Sequence, residues 1–439
     1  MSGGLLQLVA YGSQDVYLSS NASISFWKAT YRRYTSFALE AIQNTFSGSV
    51  GWGKRVTVSI PRNGDLISTQ FLEIVLKKHA TNASYFPAEQ FVKQIEVEIG
   101  GQKIDQHYND WYRLFSELYM NETEKKAYRR MVDFDNPEGT GDAGVTKRFF
   151  LPLQFFYNRA PGLALPLVAL QYHEVRLNIT FESSAVMEAN GVDVSVDPEA
   201  TLYTTYVYLD SAERKRFSQQ SHEYLISVVQ HTGPESVAPA TSSRTQNVRL
   251  NFNHPCKTLV WAIKGDGYGE FTTGANGTAD DKYAVLQSSK LQVNGHDRMD
   301  ERTGAYYNQV QPYEFLKTCP SAGVYMYSFC LKPDEIIQPS GSINMSRIDN
   351  ATLIVSTKAA SAAGIANVLD ENTTLSTGTG LTNLLVFAES FNVLRVISGI
   401  KVILLHLCQT ARCHTSSGYT GMGKHWNIRD ISTDIYVTC

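Results

Sequence analysis

The stretch that decides the fold is residues 209–226, which read Leu-Asp-Ser-Ala-Glu-Arg-Lys-Arg-Phe-Ser-Gln-Gln-Ser-His-Glu-Tyr-Leu-Ile. This charged and polar segment separates two halves of the chain that resemble each other. Before it, Gly100-Gly101 follows the alternating run at 95–99, and after it Asn294-Gly295 follows the similar run at 291–293. The two copies lie a whole domain apart, far beyond the ~20–50 residues of a solenoid repeat. The sequence therefore predicts a duplicated domain.

Two weaker matches agree with a duplication. Residues 42–45 read Ile-Gln-Asn-Thr, and residues 229–232 read Val-Gln-His-Thr. Residues 175–177, Val-Arg-Leu, loosely resemble residues 351–353, Ala-Thr-Leu. A duplication predicts that the members of each pair lie on equivalent strands.

Alternation of apolar and polar residues indicates β-strands in both halves, because successive side chains of a strand point to opposite faces. Such half-buried strands, separated by Pro, Gly and Asn turns, favour antiparallel sandwiches. Strands are also predicted at 149–152 and 164–167, where prolines suit edges or bends. The predicted strands are at 56–60, 72–76, 95–99 and 177–181 in the first half and at 248–252, 259–263, 291–293, 324–329, 353–355 and 393–397 in the second.

One helix interrupts the strands of the first half. Trp111, Leu114, Phe115 and Leu118 recur at helical spacing, ahead of a charged run at 122–130. Spacings of three and four residues place these side chains on one face of a helix. We expect a loop insertion that packs against the sheets.

Composition is that of a globular protein. Of the 439 residues, 43% are hydrophobic and 18% charged, and the net charge of −3 gives no positive field that would attract nucleic acid. The N-terminus lacks the basic region and apolar core of a secretory signal, and no apolar run reaches the ~18 residues of a membrane span. We therefore expect a soluble chain made in the cytosol. The six cysteines form no C-x-x-C pair, so free thiols are expected.

Sequence motifs for catalysis or cofactor binding are weak. Residues 139–144 fit G-x-G-x-x-G, but a turn precedes them and a strand follows, whereas a dinucleotide site needs a strand before and a helix after. His173-Glu174 and His222-Glu223 are interpreted as structural pairs, because neither has a third catalytic partner in the sequence. We predict no catalytic residue and no cofactor.

The last 34 residues contain four soft metal ligands within nine positions. Their spacing matches no common zinc finger, and the interpretation as scattered residues is favoured over a tetrahedral metal site. We predict no metal site here. The four ligands are His406, Cys408, Cys413 and His414.

The chain resembles the major capsid proteins of large icosahedral double-stranded DNA viruses, particularly those of algal viruses and iridoviruses. The resemblance spans about residues 3–399. That family has a double jelly roll, so the resemblance implies two consecutive eight-stranded antiparallel β-sandwiches with short helical insertions. The resembling motifs are Gly3-Gly4-Leu5-Leu6-Gln7-Leu8-Val9-Ala10-Tyr11-Gly12-Ser13-Gln14-Asp15, Tyr31-Arg32-Arg33-Tyr34-Thr35, Arg62-Asn63-Gly64-Asp65-Leu66, Pro161-Gly162-Leu163-Ala164-Leu165-Pro166, Leu170-Gln171-Tyr172-His173-Glu174-Val175, Leu250-Asn251-Phe252-Asn253-His254-Pro255 and Ser346-Arg347-Ile348-Asp349-Asn350-Ala351.

The resemblance implies a structural protein of the virion capsid, present in the host cytoplasm during assembly. Three chains would form a pseudo-hexagonal capsomer, since two sandwiches per chain give six similar blocks around a threefold axis. Its expected partners are further copies of itself, neighbouring capsomers, minor capsid and penton proteins and inner-membrane proteins, without direct contact to nucleic acid. We expect an arm at 1–36, jelly rolls at 37–212 and 224–399, a linker at 213–223 and an atypical tail at 400–439.

The predicted functional residues belong to surfaces. The arm is expected to contact neighbouring capsomers or minor proteins, and the loops at 265–281 and 359–380 are expected to face outward. In the family some members carry glycans on such loops, and eight N-x-[ST] sequons occur here. The arm residues are Leu5, Leu8, Tyr11, Asp15, Arg32 and Arg33, and the loop residues are Asp266, Tyr268, Asn276 and Asn372.

Two expectations remain open to test. A jelly roll also suits a carbohydrate-binding or carbohydrate-cleaving protein, which would need an aromatic platform or a carboxylate pair on a concave face. The family resemblance ends near Gly399, and residues 400–439 show poor strand periodicity. Residues 400–439 therefore form an atypical tail, and the sequence leaves open whether it is ordered or results from a frameshift or read-through.

Overall fold

A computed structural model describes residues 2–79, 85–135, 144–236, 244–264, 286–321, 323–357, 360–361, 375–376, 383–397 and 401–405. The predicted outward-loop residues Asp266, Tyr268, Asn276 and Asn372 lie outside these ranges, as do the four soft ligands of the tail. Most of the G-x-G-x-x-G match at 139–144 also lies outside them.

Nine α-helices lie in the described part of the chain. Most are short and fall between strands, as expected for insertions in a β-fold. They are α1 Gly3–Val9, α2 Ser13–Ser19, α3 Pro87–Phe91, α4 Asn109–Tyr119, α5 Glu122–Val132, α6 Phe156–Arg159, α7 Ser184–Ala189, α8 Ser211–Gln219 and α9 Gln311–Phe315. A π-helix at Tyr306–Val310 leads directly into α9.

The strands divide between the two halves. Those of the first half are β1 Phe37–Asn44, β2 Arg55–Ser59, β3 Leu66–Lys77, β4 Val92–Ile99, β5 Gln102–Tyr108, β6 Thr146–Pro152, β7 Leu165–Pro166, β8 Val175–Phe181 and β9 Glu199–Leu209. Those of the second are β10 His222–His231, β11 Glu235–Ser236, β12 Arg244–Leu250, β13 Pro255–Lys264, β14 Leu286–Val293, β15 His296–Asp297, β16 Arg302–Thr303, β17 Val324–Ser328, β18 Ile343–Asn344, β19 Ala351–Thr357, β20 Ala360–Ser361, β21 Leu375–Ser376, β22 Asn383–Ile397 and β23 Lys401–Leu405.

Both halves have the same strand order. The first half pairs β1-β9-β3-β6 in one sheet and β2-β8-β4-β5 in the other. The second half pairs β10-β22-β13-β17 and β12-β19-β14-β15. When the eight principal strands of each half are numbered along the chain, both halves read 1-8-3-6 and 2-7-4-5. This shared order confirms two eight-stranded jelly rolls, which we call sandwich 1 and sandwich 2.

The repeated sequence signature is a hairpin turn between the fourth and fifth principal strands. Ile99 pairs with Gln102 in sandwich 1, and Val293 pairs with His296 in sandwich 2. Both central residues of each turn have positive φ: 59° and 83° at residues 100 and 101, and 50° and 81° at residues 294 and 295. Two-residue hairpins with this backbone favour Gly and Asn, which tolerate positive φ.

The polar bridge between the halves is largely helical. Helix α8 occupies Ser211–Gln219, and β10 begins at His222, so strand pairing starts just inside the predicted linker at 213–223. The predicted arm contains α1 and α2, and all of its described residues are exposed.

One strand prediction needs correction. The segment predicted at 164–167 forms only the two-residue β7 beside β3, because Pro166 has no N–H to continue a ladder. In the tail, whose order the sequence left open, β23 pairs with the end of β22. Strand β13 stops pairing with β22 at Ser390, so the residues beyond it on β22 have an open edge for β23.

Each sandwich encloses its own apolar core, and a third cluster joins the two. The core of sandwich 1 also contacts Ile226 and Val228 of β10 and Leu394 and Val396 of β22. Sandwich 2 has a separate core that includes Trp261. The third cluster lies between the sandwiches and places α4 against sandwich 2.

Candidate assembly surfaces

Helix α4 connects the two sandwiches. Its apolar stripe, predicted from sequence as a face packed against sheets, packs on the outer face of the β22-β13-β17 sheet of sandwich 2. Trp111 is 1% exposed, and its ring lies 5.6 Å from that of Phe387. The members of this contact are Trp111, Leu114, Phe115 and Leu118 from α4 and Val260, Ala262, Val324, Met326, Leu385 and Phe387 from sandwich 2.

Tyr112 lies on a different face of α4 from this stripe. It belongs to the core of sandwich 1 and is 1% exposed. Helix α4 is therefore anchored in sandwich 1 by Tyr112 and covers sandwich 2 with its stripe. Removal of this apolar surface from water favours one fixed arrangement of the two sandwiches.

A buried ionic cluster reinforces the same junction. The Glu389 carboxylate on β22 receives Lys257 Nζ at 2.8 Å and an Arg159 guanidinium nitrogen at 2.7 Å. The Tyr119 hydroxyl donates a hydrogen bond of 2.6 Å to the other oxygen. Burial raises the pKa of Glu389, but the two cations and the hydrogen bonds outweigh burial and lower it to about 2. Since Arg159 and Tyr119 belong to sandwich 1, an ionised Glu389 joins both halves.

A polar cleft of about 390 Å³ lies beside this junction. Its described lining combines β5 of sandwich 1 with β10 of sandwich 2 and contains one carboxylate, Asp105. Asp105 Oδ1 accepts a hydrogen bond of 3.0 Å from the backbone N–H of Val229, so this carboxylate links the two sandwiches. Cleavage of a glycoside needs two carboxylates, and the cleft supplies one.

The predicted arm residues are exposed. Leu8 is 77% exposed and Trp27 96%, which is unusual for large apolar side chains on one segment. Asp15 has a local role, because its carboxylate accepts a hydrogen bond of 2.9 Å from the Gly12 N–H at the start of α2. Arg32 and Arg33 lie in the exposed segment that leads into β1.

The other candidate pairs have structural partners. Glu174 accepts hydrogen bonds from Ser59 and Arg176, and these bonds lower its pKa. His222 lies 2.8 Å from the carbonyl oxygen of Phe217. Glu223 pairs with Arg395 on the neighbouring strand. Among the described residues, no cluster of His, Cys, Asp and Glu is arranged to hold a metal ion, and no helix is long and apolar enough to cross a membrane.

Comparison with known proteins supports the architecture. A family described as "Major capsid protein N-terminus" matches residues 25–210, and "Large eukaryotic DNA virus major capsid protein" matches residues 213–402. The first match ends just before α8 and the second begins within it, so the boundary falls at the polar bridge between the sandwiches. The chain belongs to the major capsid proteins of large eukaryotic DNA viruses. It is a structural component of the virion capsid, and the carbohydrate-active alternative is not favoured.

Sequence alignments with related capsid proteins span nearly all of this chain. The major capsid protein of Paramecium bursaria Chlorella virus 1 is 46% identical over 434 residues, with 91% of this chain and 98% of the relative covered. That of Pyramimonas orientalis virus is 42% identical over 431 residues, with the same shares covered. The crystal structure of the PBCV-1 protein VP54 matches with a TM-score of 0.81 at 44% identity, covering 87% of this chain and all of that one.

A more distant capsid protein shares only the fold. The Faustovirus major capsid protein matches with a TM-score of 0.65 at 11% identity, covering 87% of this chain and 94% of that one. The predicted fold class and family are thereby confirmed. The roles of individual arm and loop residues stay predictions.

Sequence reasoning missed the ionic cluster. Glu389 lies inside the mostly apolar run at 384–391, and a lone charge in such a run indicates a buried, paired carboxylate. Its partners could not be identified from the sequence, because Lys257 and Arg159 are far from it along the chain.

Proposed function

We propose that this capsid protein assembles as a homotrimeric capsomer with a pseudo-hexagonal outline and that such capsomers tile an icosahedral shell. The observation that carries the proposal is the repeated strand order, since two alike sandwiches per chain give six alike blocks in a ring of three. The rigid junction at α4 and Glu389 supports it, because a tile needs a fixed angle between its blocks.

The oligomeric state tests this proposal. Mass photometry or sedimentation of the purified full chain at micromolar concentration should give a mass three times the 48.9 kDa of one chain. Negative-stain images of the same sample should show a hexagon-like outline. A chain that stays monomeric in both measurements contradicts the proposal.

We propose a second role for the arm at 1–36, which is contact with neighbouring capsomers, minor capsid proteins, penton proteins or inner-membrane proteins. Its support is the exposure of large apolar side chains that have no core of their own. The acidic net charge supports a shell that does not itself bind nucleic acid.

Substitutions in the arm test its role in array formation separately from trimer formation. Replacing Leu5 and Leu8 with Asp should leave trimers intact and reduce their association into larger arrays, as seen by light scattering. Val196→Asp, at a site 48% exposed outside the arm, serves as the control and should leave both unchanged. Unaltered array formation by the Leu5/Leu8 variant contradicts an assembly role for these residues.

A further inference from the structure

One sheet face differs between the sandwiches. In sandwich 2, the outer face of β22, β13 and β17 is buried under α4. In sandwich 1, the equivalent strands are β9, β3 and β6, and their outer face carries three aromatic rings, which we call the aromatic face: Phe71, Phe150 and Tyr203. Phe71 stacks on Tyr203 at 5.1 Å and meets Phe150 edge-on at 6.0 Å.

The aromatic face is open to solvent in the single chain. Phe150 is 36% exposed, while Phe71 and Tyr203 are partly buried. Beside these rings lies one ion pair, in which Arg148 Nε is 3.3 Å from Glu73 Oε1. Protein interfaces are enriched in aromatic residues at their core and are polar at their rim, so exposed aromatic rings beside an ion pair are consistent with an interface.

Sandwich 2 has its own counterpart of α4. The π-helix and α9 lie between the fifth and sixth principal strands, as α4 does in sandwich 1. Tyr307 is fully buried in the core of sandwich 2, as Tyr112 is in that of sandwich 1. Writing F and G for the fifth and sixth principal strands of each sandwich, we call α4 the first F–G helix and the segment Tyr306–Phe315 the second F–G helix.

Alignment of the two tyrosines compares the outward faces of the two helices. With Tyr307 placed on Tyr112, Val310 falls on Phe115 and Tyr313 falls on Leu118. Phe115 and Leu118 are buried against sandwich 2, whereas Val310 is 47% and Tyr313 70% exposed. The second F–G helix therefore presents an apolar pair at the positions that α4 uses for its contact.

We infer that the aromatic face of one chain is covered by Val310 and Tyr313 of the second F–G helix from a neighbouring copy. Each chain carries both halves of this contact, a covering helix and an uncovered face, so the occupant is another copy of the same chain. The contact between chains repeats the contact within the chain. A head-to-tail contact of this kind closes into a ring when the rotation allows it, and the inference thus rests on the proposed trimer.

Photocrosslinking tests which surface covers the aromatic face. The full chain carries benzoylphenylalanine in place of Phe150, and unlabelled copies are mixed with isotopically heavy copies before assembly. Irradiation should join residue 150 to a peptide containing residues 306–315 of the other isotope. Crosslinks only to other segments, or only within one chain, overturn the inference.

A substitution distinguishes this inference from the trimer proposal. Tyr313→Asp should raise the concentration at which half the trimers dissociate by roughly 30-fold or more, as for loss of an interface hot spot. Tyr172→Asp is the control, because Tyr172 is 79% exposed and precedes β8 of the opposite sheet. Its trimers should dissociate at the wild-type concentration.

The possible outcomes separate the two claims. If the wild-type chain never forms trimers, the proposed function fails. If wild-type and Tyr313→Asp trimers dissociate at the same concentration, the trimer stands and this inference fails. Circular dichroism of the variant establishes that dissociation does not reflect unfolding, and crosslinking at Phe150 supplies the second measurement if the variant is unfolded.

Discussion

The two sandwiches share one strand order but differ in what surrounds it. The outer face of the β22-β13-β17 sheet is covered by α4, so sandwich 2 buries both faces of this sheet. The equivalent face of sandwich 1 leaves Phe150 partly exposed. After a duplication, the two copies in one chain cannot have the same neighbours, because one copy must supply the covering helix and the other must receive it. Because of this asymmetry, each chain has an uncovered sheet face on sandwich 1 and an exposed helix on sandwich 2.

The buried polar groups also differ, because an ionic cluster lies at the junction whereas neutral hydrogen bonds lie within sandwich 1. Substitution in the ionic cluster should have the largest effect on the free energy of unfolding. Glu389→Gln leaves Lys257 and Arg159 buried without a carboxylate, so we expect the free energy of unfolding to fall by about 3–5 kcal/mol. In sandwich 1, Thr204 accepts uncharged hydrogen bonds from Asn44 and Gln70. Thr204→Val should cost about 1–3 kcal/mol. Urea denaturation measures both variants, and equal losses would contradict the distinction between the ionic cluster at the junction and the neutral hydrogen bonds within sandwich 1.

The two F–G helices give the next largest contrast. Leu118→Ala removes a fully buried side chain from the junction and should lower the free energy of unfolding by about 2–5 kcal/mol. Tyr313→Ala, at the aligned position, should change it by less than about 0.5 kcal/mol in the dissociated chain. Urea denaturation at concentrations too low for association measures both. A large loss in the Tyr313 variant would show that this side chain already packs within its own chain.

The helices of sandwich 1 also bury an acid that has a testable pH dependence. Burial raises the pKa of Glu89 from its ordinary value of 4.5 to about 8, although the nearby Arg113 guanidinium acts in the opposite direction. The folded chain therefore holds a proton that the unfolded chain releases between about pH 4.5 and pH 8. Because the folded state binds more protons, the free energy of unfolding falls as the pH rises through this window.

Comparison with Glu89→Gln isolates this contribution. Between pH 5 and pH 7, the wild-type chain should lose roughly 2–3 kcal/mol that the variant does not lose. Urea denaturation across this pH range measures both chains. Parallel pH profiles for the two chains would contradict a protonated Glu89 in the folded state.

The smallest expected effect tests whether the two hairpin turns are equivalent. Gly101 and Gly295 have φ of 83° and 81°, and neither would bring a new Cβ within 4 Å of another atom. Each Gly→Ala substitution should therefore cost about 1–2 kcal/mol through backbone strain alone. Thermal unfolding of both variants measures the losses. Losses that differ by more than about 1 kcal/mol would show that the two turns are not equivalent.

Local features of the fold could be predicted from the sequence. Residues 100–101 and 294–295 form matching turns because positive φ depends on the residue itself. The weaker matches also fall on equivalent strands: residues 42–44 and 229–231 lie on the first strand of each sandwich, and residues 175–177 and 351–353 on the seventh. Strand periodicity is equally local, so most strands were placed correctly.

The contacts between distant segments could not be predicted. The stripe on α4 indicates a buried face, but nothing in its spacing tells which sheet covers it, and the answer lies on strands such as β22 far along the chain. The same limit applies to Glu389 and its partners. The order of the tail was left open by the sequence, because the pairing of β23 depends on the length difference between β22 and β13, which periodicity does not reveal.

A cryo-EM reconstruction of the assembled capsomer at side-chain resolution would show what covers the aromatic face. We predict six sandwiches in a ring, with Val310 and Tyr313 of each chain over Phe71, Phe150 and Tyr203 of the next, in the same arrangement that α4 adopts within the chain. A ring in which the aromatic face stays open to solvent, or is covered by a different segment or a different protein, would contradict it.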